Sequence, residues 1–163
     1  GASPLSVLGR LYPRTARGPG VVTPGKWWPR RGKIEMSLDA GVRRVLSEFL
    51  REFAARMKWG DEAAERLCSA GEETLMSLVE RGDDAGGMRR LRVAARSDGS
   101  DAVIEFLAAP QGTNLEEQLA LVRRNAPPAD GREMSLRLLG HYASSVRHRQ
   151  YRANDLVTVR VRG

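Results

Sequence analysis

The stretch "KIEMSLDAGVRRVLSEFLREFAARMKWGDEAAERLCSAGEETLMSLVERGDD" (residues 33–84) decides the fold class. Its first six residues alternate Ile34, Met36 and Leu38 with polar neighbours, the period of a half-buried strand. Asp39 stands where a helix cap is wanted. From Gly41 to Trp59 the apolar set Val42, Val45, Leu46, Phe49, Leu50, Phe53, Ala54 and Met57 recurs at steps of three and four, which predicts an amphipathic helix that Gly60 stops. Asp61 caps a second helix running to about Arg81. Within it Glu72 and Glu73 interrupt the apolar run Leu67, Leu75, Met76, Leu78 and Val79, and a carboxylate there is costly unless it is paired or used.

Beyond this stretch the pattern returns to strands. "MRRLRVAARS" and "DAVIEFLA" form a hairpin around a Ser97–Ser100 turn. Asn114 or Thr113 caps a short helix, "LEEQLALVRR". "EMSLRLLGHYASSV" reads as a fourth helix, and "DLVTVRVR" as a closing strand with Val157, Val159 and Val161 on one face. The order strand, helix, helix, strand, strand, helix, helix, strand predicts an α+β fold, a two-layer sandwich with a mixed β-sheet and helices packed on one face. No glycine-rich turn follows a strand in a βαβ unit, which excludes Rossmann and P-loop folds. The domain spans residues 32–163. Residues 1–31, with five prolines and almost no acid, read as a flexible basic linker or arm. Trp27 and Trp28 there, beside Arg30 and Arg31, suit packing on the domain or an interfacial or stacking contact.

Bulk composition narrows the function classes. The 163 residues carry 27 Lys+Arg against 20 Asp+Glu, a net charge of +7, and only three of the 27 are lysines. Arginine dominance alongside so much Ala and Gly points to a GC-rich genome more than to a nucleic-acid site, although the balance permits weak attraction to nucleic acid or anionic lipid through the Arg-rich arm. The single cysteine, Cys68, excludes an internal disulfide and a zinc cluster, and its apolar neighbours suit a buried inert thiol in a reducing, cytoplasmic setting. His141 and His148 lie seven apart, two helical turns, with no third ligand, so no metal site is expected. "SSVRHRQYRAND" reads either as a basic patch for an anion or acidic partner, or as a solvated helix end.

The run 33–84 resembles the start of a histidine-kinase-like ATPase domain, closest to the anti-sigma-factor serine kinase branch. That family's second helix bears Glu-x-x-x-Asn, its Asp-x-Gly-x-Gly loop reads adenine, and its Gly-x-Gly-x-Gly loop wraps phosphates. The resemblance places Glu73 on the family glutamate, a general base, and Ser77 where the Mg²⁺-binding Asn belongs. The first loop falls on Ala108-Ala109-Pro110-Gln111-Gly112, where only Gly112 matches and Ala108 replaces the adenine-reading Asp. The second falls on residues 131–135, where only Gly131 matches and Glu133 brings negative charge to the phosphate position. The relic cleft is therefore Glu73, Ser77, Gly112 and Gly131. For Glu73 itself the open roles are an Arg-paired structural residue, a relic of the catalytic base, and a working base lacking its metal ligands.

Two further strings, "EMSLRLLGHYASSVRHRQYRANDLVTVRV" and "RLCSAGEETLMSLV", resemble the C-terminal cytoplasmic domains of bacterial nucleobase (uracil/xanthine-type) permeases, which would make residues 1–31 the connector after an inner-membrane transporter. The resemblances imply a non-catalytic regulatory or interaction domain with a decayed ATP-binding cleft, no cofactor, and a protein partner, tethered domain or second copy as ligand. The alternatives are an ATP- and Mg²⁺-using serine/threonine kinase with a divergent pocket, and a basic nucleic-acid or anionic-membrane binder. Differential thermal melting separates the first two: a nucleotide at a hundred times its Kd adds about 2.7 kcal/mol of stability, and the decayed cleft predicts no shift at millimolar Mg-ATP.

Overall fold

The computed structural model describes residues 20–24, 31–85, 87–127, 129–130 and 138–163. The strands are β1 (Gly20–Pro24), β2 (Arg31–Ser37), β3 (Arg89–Asp98), β4 (Asp101–Pro110), β5 (Ala129–Asp130), β6 (Ser145–Tyr151) and β7 (Asn154–Val161). The helices are α1 (Arg43–Arg56), α2 (Asp61–Ala85) and α3 (Leu115–Asn125). The strands form one seven-stranded sheet in the order β1-β2-β3-β4-β7-β6-β5. The chain is thus the expected α+β sandwich.

The main core lies between the sheet and the α1–α2 pair. Ile34 and Met36 of β2, Leu91, Val93 and Ala95 of β3, Ile104 and Phe106 of β4, and Val157, Val159 and Val161 of β7 all face it. Leu46, Leu50 and Phe53 of α1 and Leu67, Leu75 and Leu78 of α2 close it from above. The period of two in the strands and of three to four in the helices puts these residues on one side of each element. Asp39 caps the turn before α1, its Oδ1 accepting from Gly41 N at 2.7 Å. Asn114 Oδ1 accepts from Glu117 N at 3.0 Å and starts α3.

Several expectations need correction. The sheet is not mixed: every described pairing is antiparallel. The helices do not share one face either. Leu115, Leu119 and Val122 of α3 pack on Leu107, Ala109 and Leu156, which project from the opposite side of β4 and β7. β4 is buried on both faces, so its unbroken apolar run AVIEFLAA carried the signal of a strand covered on two sides. α3 covers only the half of this outer face near Leu107 and Leu156.

The linker assignment is corrected at Gly20–Pro24, which pairs with β2 through Val22 opposite Ile34; the rest of residues 1–30, Trp27 and Trp28 included, lies outside the described residues. The fourth helix is corrected at its end. Residues 131–137 are likewise outside the described set, Leu138–Tyr142 form a single π-helical turn, and Ser145–Tyr151 is strand β6, hairpin-paired with β7. Its inward positions are Val146 and His148, too little apolar character to announce a strand. Finally, the residue that turns the chain out of α1 is Lys58 at φ 59°, with Trp59 N bonding back to Ala54 O, rather than Gly60.

α1 and α2 meet where α2 has no side chain. A Cβ built on Gly71 would lie 2.3 Å from Leu50 Cδ1 and 3.7 Å from Leu46 Cδ2, and both leucines are fully buried. Overpacking there outweighs the gain in helix propensity of about 1 kcal/mol. Gly71→Ala is expected to lower stability by about 1–2 kcal/mol in urea melts with unchanged m-value.

Candidate functional site

Glu73 and Ser77 occupy successive turns of α2. Ser77 is buried, Glu73 is half-buried, and each is engaged by a neighbour. Glu72, the other carboxylate of that run, accepts from Ser47 Oγ of α1 at 2.8 Å, which accounts for its place in an apolar helix. Gly112 sits in the β4–α3 connection at φ 89° with open space around it. That connection leads to the helix on the far side of the sheet from α2. Gly131 and Glu133 lie outside the described residues. The structure therefore brings Glu73 and Ser77 together and sets Gly112 at the end of a different element. Among the described residues no group of three or more His, Cys, Asp or Glu is placed to hold a metal ion.

The two histidines do not share a helix face. His141 is exposed on the π-helical turn, whereas His148 is buried on β6. His148 belongs to an ionic cluster that spacing in the sequence could not announce, because its members come from four separate elements. Asp155 of β7 is its centre. His148 Nε2 lies 2.7 Å from Asp155 Oδ1, Arg81 of α2 donates to the same oxygen at 3.1 Å, and Arg89 of β3 donates to Oδ2 at 2.7 Å. Arg89 also donates to the carbonyls of Ala108 and Ala153, each at 3.2 Å. Arg89, His148 and Asp155 have side chains only 5–6% exposed. Burial pushes the Asp155 carboxyl up, but the hydrogen bonds from His148 and Arg89 and the charges of Arg81 and Arg89 outweigh it and hold it at about 2. Cys68 is buried as expected, and burial raises its thiol above the ordinary value despite the opposing charge of Arg51.

A second arrangement lies on the outer face of the sheet, on the half that no described element covers. There β2, β3, β4 and β7 line a cleft of about 470 Å³ whose wall is completed by Arg123 at the end of α3. Among the described residues its lining cations are Arg31, Lys33, Arg92, Arg96 and Arg123, five against the carboxylate of Glu105. Strand register produces this. Inward positions of β2 and β3 are apolar, so the alternate positions carry Arg31, Lys33, Arg92 and Arg96 outward. Glu105 and Glu116 are shared among Arg92, Arg123 and Lys33, at 2.6–3.4 Å. The outward sites were hidden in the sequence because arginines alternate with apolar residues in "RLRVAARS" as any solvated strand face would.

No protein-family model matches this chain, and no curated protein matches it in sequence. No helix among the described residues is long and apolar enough to cross a membrane.

The acid limb of stability follows from Asp155. Its folded-state value lies below the ordinary 3.8, so the stabilisation is present above about pH 4 and is lost as pH falls toward 2. Asp155→Asn leaves Arg81 and Arg89 without their counter-charge and is expected to cost about 3–5 kcal/mol at pH 7. Urea melts at pH 7, 4 and 2 check both effects: the variant should lose less stability than the wild type between the last two.

Proposed function

We propose that this chain is a non-catalytic interaction domain that binds an acidic segment of a protein partner on the uncovered half of its outer sheet face. The observation that carries the reading is the lining of the outer cleft among the described residues, five cations against the one carboxylate of Glu105, with Glu116 reaching in only to Lys33 and Arg92. Clefts lined by one sign of charge concentrate field and attract the opposite charge. Between the cations the lining is Gly32, Ala94, Ala95, Val103 and Thr158, small residues that admit an extended backbone. None offers the aromatic ring on which a nucleic-acid base stacks, which favours a protein ligand over single-stranded nucleic acid.

The same proposal takes the domain to be a degenerate histidine-kinase-like ATPase, with Glu73 a relic and partner binding on the face opposite α2. Support comes from the strand–helix–helix–hairpin order and from Ser77 in place of the metal-binding Asn. Regulation of a tethered nucleobase permease is its narrower form. That form rests on the resemblance of the C-terminal strings and is tested by the coding sequence upstream of residue 1.

Fluorescence anisotropy at about 0.15 M salt tests the binding reading, with an Asp/Glu-rich peptide and a single-stranded DNA of matched charge as ligands. The peptide is expected to bind more tightly than the DNA, and the charge-reversed variant Lys33→Glu/Arg123→Glu to weaken it by at least about tenfold. These exposed ion pairs contribute only about 0–1 kcal/mol each, so the variant should stay folded. Tighter binding of DNA, or unchanged peptide binding by the variant, would overturn the proposal.

A further inference from the structure

Within the outer cleft one pair of cations differs from the rest. Arg31 of β2 and Arg96 of β3 are direct cross-strand partners, and both side chains are exposed on the outer face. Lys33, Arg92 and Arg123 each reach Glu105 or Glu116. Neither Arg31 nor Arg96 makes an ion pair with a carboxylate among the described residues. The nearest acids in the strand register are Asp98 on β3 and Asp101 and Glu105 diagonally across on β4; Arg160 of β7 engages the first two, and Arg92 and Arg123 hold Glu105. Like charges set directly opposite one another on a sheet are destabilising, so the pair is a local cost that the fold relieves only in part, through the attraction between Arg96 and the Asp98 carboxylate.

The backbone beneath the pair is held from the core side. Gly32 turns inward, where a Cβ would meet Phe49 Cε1 at 3.2 Å, and Arg56 Nη1 of α1 donates to the Arg31 carbonyl at 3.5 Å. β2 is thus anchored from the core side while Arg31 is presented outward. Cross-strand partners have Cα atoms about 4.5–5.5 Å apart, and each guanidinium offers a fork of N–H donors. Two such forks side by side present two positive charges to one anion. A carboxylate brings a single negative charge and neutralises one of them. A phosphoryl group brings nearly two, with three acceptor oxygens, and satisfies both.

We infer that Arg31 and Arg96 form a clamp for a phosphorylated serine or threonine side chain within the acidic protein segment that the outer face binds. This inference rests on the proposed partner-binding role of that face and adds the ligand's chemistry. The clamp sits at one end of the cleft, with Lys33, Arg92 and Arg123 beyond it to receive flanking carboxylates.

The test compares two labelled peptides in anisotropy titrations with the full chain: an Asp/Glu-rich peptide with one central serine, and the same peptide phosphorylated at that serine. The phosphopeptide is expected to bind about tenfold more tightly. Arg31→Ala/Arg96→Ala is expected to bring both peptides to the same affinity while keeping or raising the melting temperature, since it removes a like-charge pair. Equal binding of the two peptides by the wild type would overturn the clamp and leave the acidic-segment reading standing. A phosphopeptide preference that survives in the double variant would overturn it too. Failure of both peptides to bind would overturn both proposals.

Discussion

Asp155 is the contact on which the arrangement of layers depends. It stands on β7 opposite Ala108 of β4, and its carboxylate gathers Arg81 from α2, Arg89 from β3 and His148 from β6. One side chain thereby ties the C-terminal hairpin to the long helix and to the middle of the sheet. A buried ion pair gives little net stability over an apolar substitute, because desolvation offsets the attraction. What it gives here is register. A slip of one residue in β7 would carry Asp155 to the α3 face and leave the buried Arg89 and the half-buried Arg81 without this anion. The native pairing is the one that avoids this.

β4 plays the corresponding apolar role. It is the strand whose two faces serve both cores, Ile104 and Phe106 toward α1 and α2, Leu107 and Ala109 toward α3. Because α3 is only eleven residues long, it shields one half of the outer face and leaves the other open. The open half carries the cations that β2 and β3 cannot turn inward. The cleft is therefore a consequence of three facts: strand alternation, an apolar inner face, and a short covering helix.

The outer face shows how far ion pairing settles its own charges. Glu105 and Glu116 serve three cations, and Arg160 is held by Asp98 and Asp101. These exchanges are partly exposed and individually weak, yet they decide which cations are left over. Among the described cations of the cleft, Arg31 and Arg96 remain, adjacent and exposed. Solvent and salt screen such a pair without removing its repulsion, so the surface is better suited to a bound anion than to water alone.

The sequence alone determined the inner half of this protein. The alternation of Ile34 and Met36, the three-and-four recurrence from Val42 to Met57, the caps Asp39 and Asn114, and the "AVIEFLA" run were legible because local backbone periodicity imposes them on nearby residues. So was the burial of Cys68. β6 was not legible, because its inward positions are Val146 and a histidine whose partner lies on another strand. The side on which α3 packs was not legible either, because a strand apolar on both faces does not say which helix takes which. The Asp155 cluster and the Arg31–Arg96 pair join residues separated by 7 to 74 positions and by 65 positions respectively. Only tertiary structure decided them, because charge pairing acts through distance in space and leaves no period along the chain.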